Sequence, residues 1–287
     1  MSGHFLSGLA VARRRLGVVT WLYVVSLFAA LPFGLAAAWL TDQTFASSLV
    51  GDELLGHLST DLLLEWLRQE RRAWGLFVPF GAGVLLSMLG WSAFFDGAVV
   101  SAVAAEGPVR TGDFYSGGGR VFGRMLRLLC FGLPFTLVIT GGTGFVLLRG
   151  LRSLTSDWID ERAVFAAQLG SFLLLALILS WCKGAHDLMK VEAVAKGEHR
   201  ARWAFLRGLS RALVAPHLVL AANLPFLALG VLLTVVGLTV DLRIERIGPS
   251  GIALAFALEQ GAAFLRSFLE VAMTGAMVGL ARGRGRG

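Results

Sequence analysis

Six long apolar runs dominate this sequence and constrain it more than any other feature. They fall at about 16–40, 74–95, 128–148, 163–182, 212–240 and 251–280. The hydrocarbon layer of a bilayer is about 30 Å thick, so a crossing helix needs roughly 20 apolar residues. Every run reaches that length. Over the 287 residues, 56% are hydrophobic and only 16% are charged, too little polar surface for a soluble domain of this size. Backbone groups in lipid must be satisfied within their own segment, so the runs predict helices. The predicted class is all-α, a polytopic membrane protein with six transmembrane helices. The first run follows Arg13-Arg14-Arg15 as a signal sequence would. It is too long for one and lacks a small-x-small cleavage site, which predicts a retained helix.

The segments between the runs fix an orientation. The N-terminus, 96–127, 183–211 and the tail carry 17 Lys and Arg, against 8 in 41–72, 149–162 and 241–250. The positive-inside rule then places both termini in the cytoplasm. The formal charge of +7 is read as topology plus attraction to anionic headgroups. Membrane lipids are the expected partners, with other membrane or cytoplasmic proteins as further candidates. Nucleic acid is not expected, since no fold motif or aromatic stacking pattern accompanies the basic residues. Arg far outnumbers Lys, and Ala and Gly abound, a bias that points to a high-GC bacterial genome and a bacterial inner membrane.

A repeat organises the runs. Phe5-Leu-Ser-Gly8, Phe114-Tyr-Ser-Gly117 and Phe205-Leu-Arg-Gly208 each precede a run containing Leu-Pro-Phe, at Leu31-Pro32-Phe33, Leu133-Pro134-Phe135 and Leu224-Pro225-Phe226. Copies two and three align at an offset of about 91 residues: Asp96 on Asp187, Ala102-Val103-Ala104 on Ala193-Val194-Ala195, Arg120 on Arg211. A fixed period with matched landmarks marks duplicated structural units. The reading is a single integral domain over 1–287 with units at about 1–104, 105–195 and 196–287. Two crossings return the chain to its starting side, so the units are parallel repeats.

Within each unit a proline sits in the outward helix, where it removes one backbone donor. The Ala-Val-Ala segments are expected to continue the inward helices beyond the bilayer. Gly117-Gly118-Gly119 predicts a flexible or tight turn. The external stretch 47–72 places Leu54, Leu58, Leu62 and Trp66 at helical period, which predicts a short amphipathic segment on the outer membrane surface.

Charged residues inside lipid are functional candidates by default. Glu259, Arg266 and Glu270 share one face of the last run, and an Arg266–Glu270 pair is expected. Gln168 matches Glu259 by the repeat, and His217 and Asn223 on the fifth run are possible partners. These six residues form the candidate intramembrane polar site. Asp96, Asp187, Lys183 and Lys190 lie at helix ends, where interfacial salt bridges and snorkelling are expected. His186 and Asp187 are adjacent and so point in different directions. Catalytic signatures are missing: there is no His-Glu-x-x-His, no Gly-x-Ser-x-Gly, and no Cys/His cluster at ligand spacing. Neither Cys130 nor Cys182 has a partner at metal or redox spacing. No cofactor and no metal is expected.

The recurring Phe-x-x-Gly before an apolar run, with the Gly184-Ala185 and Ala193-Val-Ala-x-Gly197 arm, resembles uncharacterised bacterial six-helix membrane proteins. Among these is the membrane region attached to some glycerophosphodiester phosphodiesterases, whose catalytic domain is absent here. The resemblance implies an integral membrane protein and carries no activity. Three proline-bearing hairpins also look like a mitochondrial carrier, but the charged residues that follow those prolines in carriers are missing. The functional expectation is a non-catalytic scaffold or accessory membrane component, not an enzyme. The alternative is an ion, lipid or small-molecule transporter or channel using the polar face of the sixth helix.

Overall fold

A computed structural model describes residues 2–45, 71–155, 160–195, 197, 199–241 and 249–283. Among them are eight helices and no strand: α1 (Ser2–Arg14), α2 (Leu16–Phe45), α3 (Arg71–Ala104), α4 (Thr111–Thr155), α5 (Glu161–Val194), α6 (Ala201–Val214), α7 (Pro216–Asp241) and α8 (Pro249–Gly283). Six of these, all but α1 and α6, are long and apolar enough to cross a membrane. The predicted amphipathic segment lies outside the described residues except for Arg71 and Arg72, which begin α3.

The chain divides into two compact units. Residues 23–92 form one, built from most of α2 and the first part of α3. These helices run through Pro32 and Pro79 and expose apolar side chains such as Phe28, Leu35, Leu85 and Leu86. Residues 1–22 and 93–287 form the other. Its interior is concentrated at one end of the helices. Val99, Phe114, Leu128, Met189, Val219, Val271 and Met277 are fully buried there, whereas Val138, Leu148, Phe172, Val235 and Phe256 on the other halves are exposed. So much bare apolar surface is unusual for a soluble chain and ordinary for a lipid-facing one.

Local chemistry explains the helix ends. Asp160 precedes α5 and accepts a hydrogen bond from the Arg162 backbone N–H at 2.9 Å. Asp113 reaches back to the Arg110 N–H at the start of α4 in the same manner. Proline disfavours a helical residue before it, so Ala215 leaves the helical conformation and separates α6 from α7, with Pro216 in the first turn of α7. The expected single run over 212–240 is thus broken at Ala215. Carbonyls at the ends of the inward helices are capped by arginines: Arg15 donates to Ala105 and Gly107, Arg282 to Ala104, and Arg124 to Ala193, each at 2.6 Å. The helices do continue through Ala102-Val103-Ala104 and into Val194.

The Phe-x-x-Gly segments are all helical and all pack tightly. A Cβ on Gly117 would lie 3.0 Å from the Ser101 Cβ on α3, and one on Gly208 would lie 2.6 Å from Met189 on α5. A Cβ on Gly8 would collide with the Ala272 carbonyl on α8. The turn expected at Gly117-Gly118-Gly119 does not occur; these residues lie inside α4. Close approach of α3 supplies the reason, since a Cβ on Gly118 would lie 3.0 Å from the Phe94 carbonyl and 3.1 Å from the Ala98 Cβ. Aromatic rings fasten the same segments. Phe205 meets Phe135 edge-on at 5.9 Å, and Phe5 lies 4.8 Å from Phe226.

Candidate functional site

The most charged place in the interior lies where α3, α5 and α8 converge. Each contributes one face of its packed end. Asp96 stands on α3, Lys183, Asp187 and Lys190 on α5, and Glu270 and Thr274 on α8. The spacing on α5 follows from helix geometry: Asp187 is four residues after Lys183 and three before Lys190, so all three share a face. Lys190 donates to Asp96 at 2.9 Å and to Asp187 at 3.1 Å. Lys183 approaches the other oxygen of Asp187 at 3.5 Å.

Burial makes this more than surface pairing. The Lys190 side chain is 11% exposed, Asp187 8% and Asp96 15%, while Lys183 is 47% exposed. The interfacial snorkelling expected for Lys190 therefore does not happen; its ammonium is turned inward between two carboxylates. A buried charge is tolerated only when paired, and here one ammonium serves two carboxylates while the exposed Lys183 shares in the second. The residues enclose a cavity of about 10 Å3, room for about one water molecule. Glu270 lines it from α8 and is itself exposed. With every group ionised, three carboxylates face two ammonium groups. His186 takes the other direction and packs against Gly132 of α4, so His186 and Asp187 form no relay.

A second buried pair joins α5 to α6. Glu192, only 1% exposed, accepts from Arg211. A third polar contact ties α7 to α5: the fully buried Asn223 amide donates to the Ser180 carbonyl at 2.6 Å and lies 3.3 Å from its hydroxyl. The Asn223 side-chain oxygen has no hydrogen-bond partner among the described residues.

The six residues expected to form one intramembrane site are scattered instead. Arg266 does not pair with Glu270; it donates to Thr234 of α7 at 3.2 Å. Glu270 lies four residues further on and lines the charged cavity with the lysines of α5. Glu259, Gln168 and His217 are exposed, and none of them lines the charged cavity. Asn223 is engaged with Ser180. Of that group only Glu270 belongs to the charged centre. Glu192 escaped sequence reading because its pairing depends on α6 folding back onto α5 and bringing Arg211 to it. Among the described residues no group of three or more His, Cys, Asp or Glu is arranged to hold a metal ion. No protein-family model, curated protein or solved structure matches this chain, and its function is read from geometry alone.

Proposed function

We propose that the protein is a non-catalytic scaffold or accessory component of a bacterial inner membrane, with both termini cytoplasmic. The observation that carries this reading is the state of the charged centre. Its buried lysine joins Asp96 of α3 to Asp187 of α5, and the centre encloses space for about one water. Such an arrangement fastens helices and offers no continuous path. Orientation is supported by the excess of Lys and Arg in the segments that hold both termini.

A build of three parallel two-helix repeats is supported by cyclic contacts. Phe205 of the third unit meets Phe135 of the second, and Phe5 of the first meets Phe226 of the third. Arg15 and Arg124, equally spaced from Phe5 and Phe114, both cap an inward helix. In this scheme the N-terminal helix closes a ring on α8. The test of the accessory role is purification from native membranes at native expression. A stoichiometric protein partner supports it; a chain that purifies alone argues against it.

The transporter reading is favoured by one observation, the exposed Glu270 on the wall of the charged cavity. It predicts that Glu259→Gln, Arg266→Leu or Glu270→Gln abolishes a flux while the protein keeps its stability. Loss of stability without any flux to lose assigns those charges to structure.

A further inference from the structure

An open pocket of about 500 Å3 lies apart from the charged centre, between the end of α3, the start of α4 and the segment after α5. Its size is that of small-ligand sites. Arg120 and Arg124 of α4, His199, and the hydroxyls of Ser101 and Ser116 line it. Arg120 is exposed and makes no hydrogen bond or ion pair among the described residues. Arg124 is held in place: one guanidinium nitrogen donates to the Ala193 carbonyl at 2.6 Å and the other lies 3.3 Å from His199 Nδ1. A guanidinium only donates, so Nδ1 accepts and the neutral imidazole carries its proton on Nε2, a further donor. One acidic residue, Asp113, shares the lining, but an oxygen of its carboxylate is used by the Arg110 N–H. The described lining therefore presents the Arg120 guanidinium with several further donors beside it.

Place and chemistry agree. The pocket opens beside Ala104 and Val194, where two membrane-length helices end. Basic pockets at the cytoplasmic ends of membrane helices recognise lipid headgroup phosphates. Guanidinium groups match phosphate oxygens in pairs, which favours phosphate over a simple monovalent anion. We infer that this pocket binds a phosphate group, with Arg120 as the residue that engages it and Arg124 fixed beside it by Ala193 and His199. The inference is independent of whether the charged centre fastens or conducts.

The test is thermal unfolding of the full chain in neutral-detergent micelles. Short-chain phosphatidic acid is titrated against the matching diacylglycerol, which lacks only the phosphate, and sodium phosphate against sodium chloride at equal ionic strength. Phosphatidic acid is expected to raise the midpoint and diacylglycerol is not. Arg120→Gln, which removes no internal bond, should keep the ligand-free midpoint and need about tenfold more phosphatidic acid for the same rise. Arg120→Lys should fall between, and Arg202→Gln on α6 should match the wild type. A response to phosphatidic acid alone identifies a lipid headgroup as the source. An equal response to inorganic phosphate identifies free phosphate. Stabilisation by neither, an equal rise with diacylglycerol, or an unchanged response in Arg120→Gln overturns the inference.

Discussion

Replacing Lys190 with methionine is the sharpest perturbation available. The substitution keeps length and apolar stem and removes the ammonium from between Asp96 and Asp187. At contacts of 2.9 and 3.1 Å and an effective dielectric near 20, each attraction is worth about 5 kcal/mol before desolvation. Burying the lysine costs several kcal/mol, so the pair of contacts nets far less than its sum. What the variant leaves behind decides the outcome: two carboxylates, 15% and 8% exposed, that have lost the ammonium they shared. Breaking a buried pair from one side costs about 3–5 kcal/mol. Lys190→Met should lose that much in detergent-induced unfolding followed by circular dichroism. The neutral triple variant Lys190→Met, Asp96→Asn, Asp187→Asn should recover most of the loss, because no uncompensated charge remains. A single variant within about 1 kcal/mol of wild type, or a triple variant no better than the single, would refute the reasoning.

Other expectations follow from the same contacts. Arg211→Met removes the guanidinium paired with the buried Glu192 carboxylate and should cost about 3–5 kcal/mol, recovered in part by adding Glu192→Gln. Gly208→Val drives a side chain into Met189 and should cost about 1–3 kcal/mol, whereas Gly119→Ala, with open space around it, should stabilise α4 by about 0.5–1 kcal/mol. Asn223→Ala removes a buried cross-helix hydrogen bond and should cost about 1 kcal/mol in the same assay.

The membrane helices were legible because the length of an apolar run and the thickness of a bilayer are one physical quantity. The inward helices ending near Ala104 and Val194 were legible too, through their Ala-Val-Ala tails. The triple glycine misled, because a glycine that permits a turn is indistinguishable in sequence from one that admits a neighbouring helix. Pairing was the harder problem. Arg266 and Glu270 satisfy the spacing of a helical ion pair, but spacing says nothing about competitors on other helices: Arg266 turns to Thr234 and Glu270 lines the charged cavity. Asp96 and Lys190 are 94 residues apart, and only the convergence of α3 with α5 brings them together. Their sequence neighbourhoods looked interfacial, since burial there comes from packing rather than composition.

Purified protein in liposomes under an imposed proton or cation gradient tests the central claim, that the charges joining α3, α5 and α8 fasten the bundle. The account predicts a leak equal to that of empty liposomes, for the wild type and for Glu270→Gln alike. A wild-type flux that Glu270→Gln or Lys190→Met abolishes at an unchanged unfolding midpoint would contradict it.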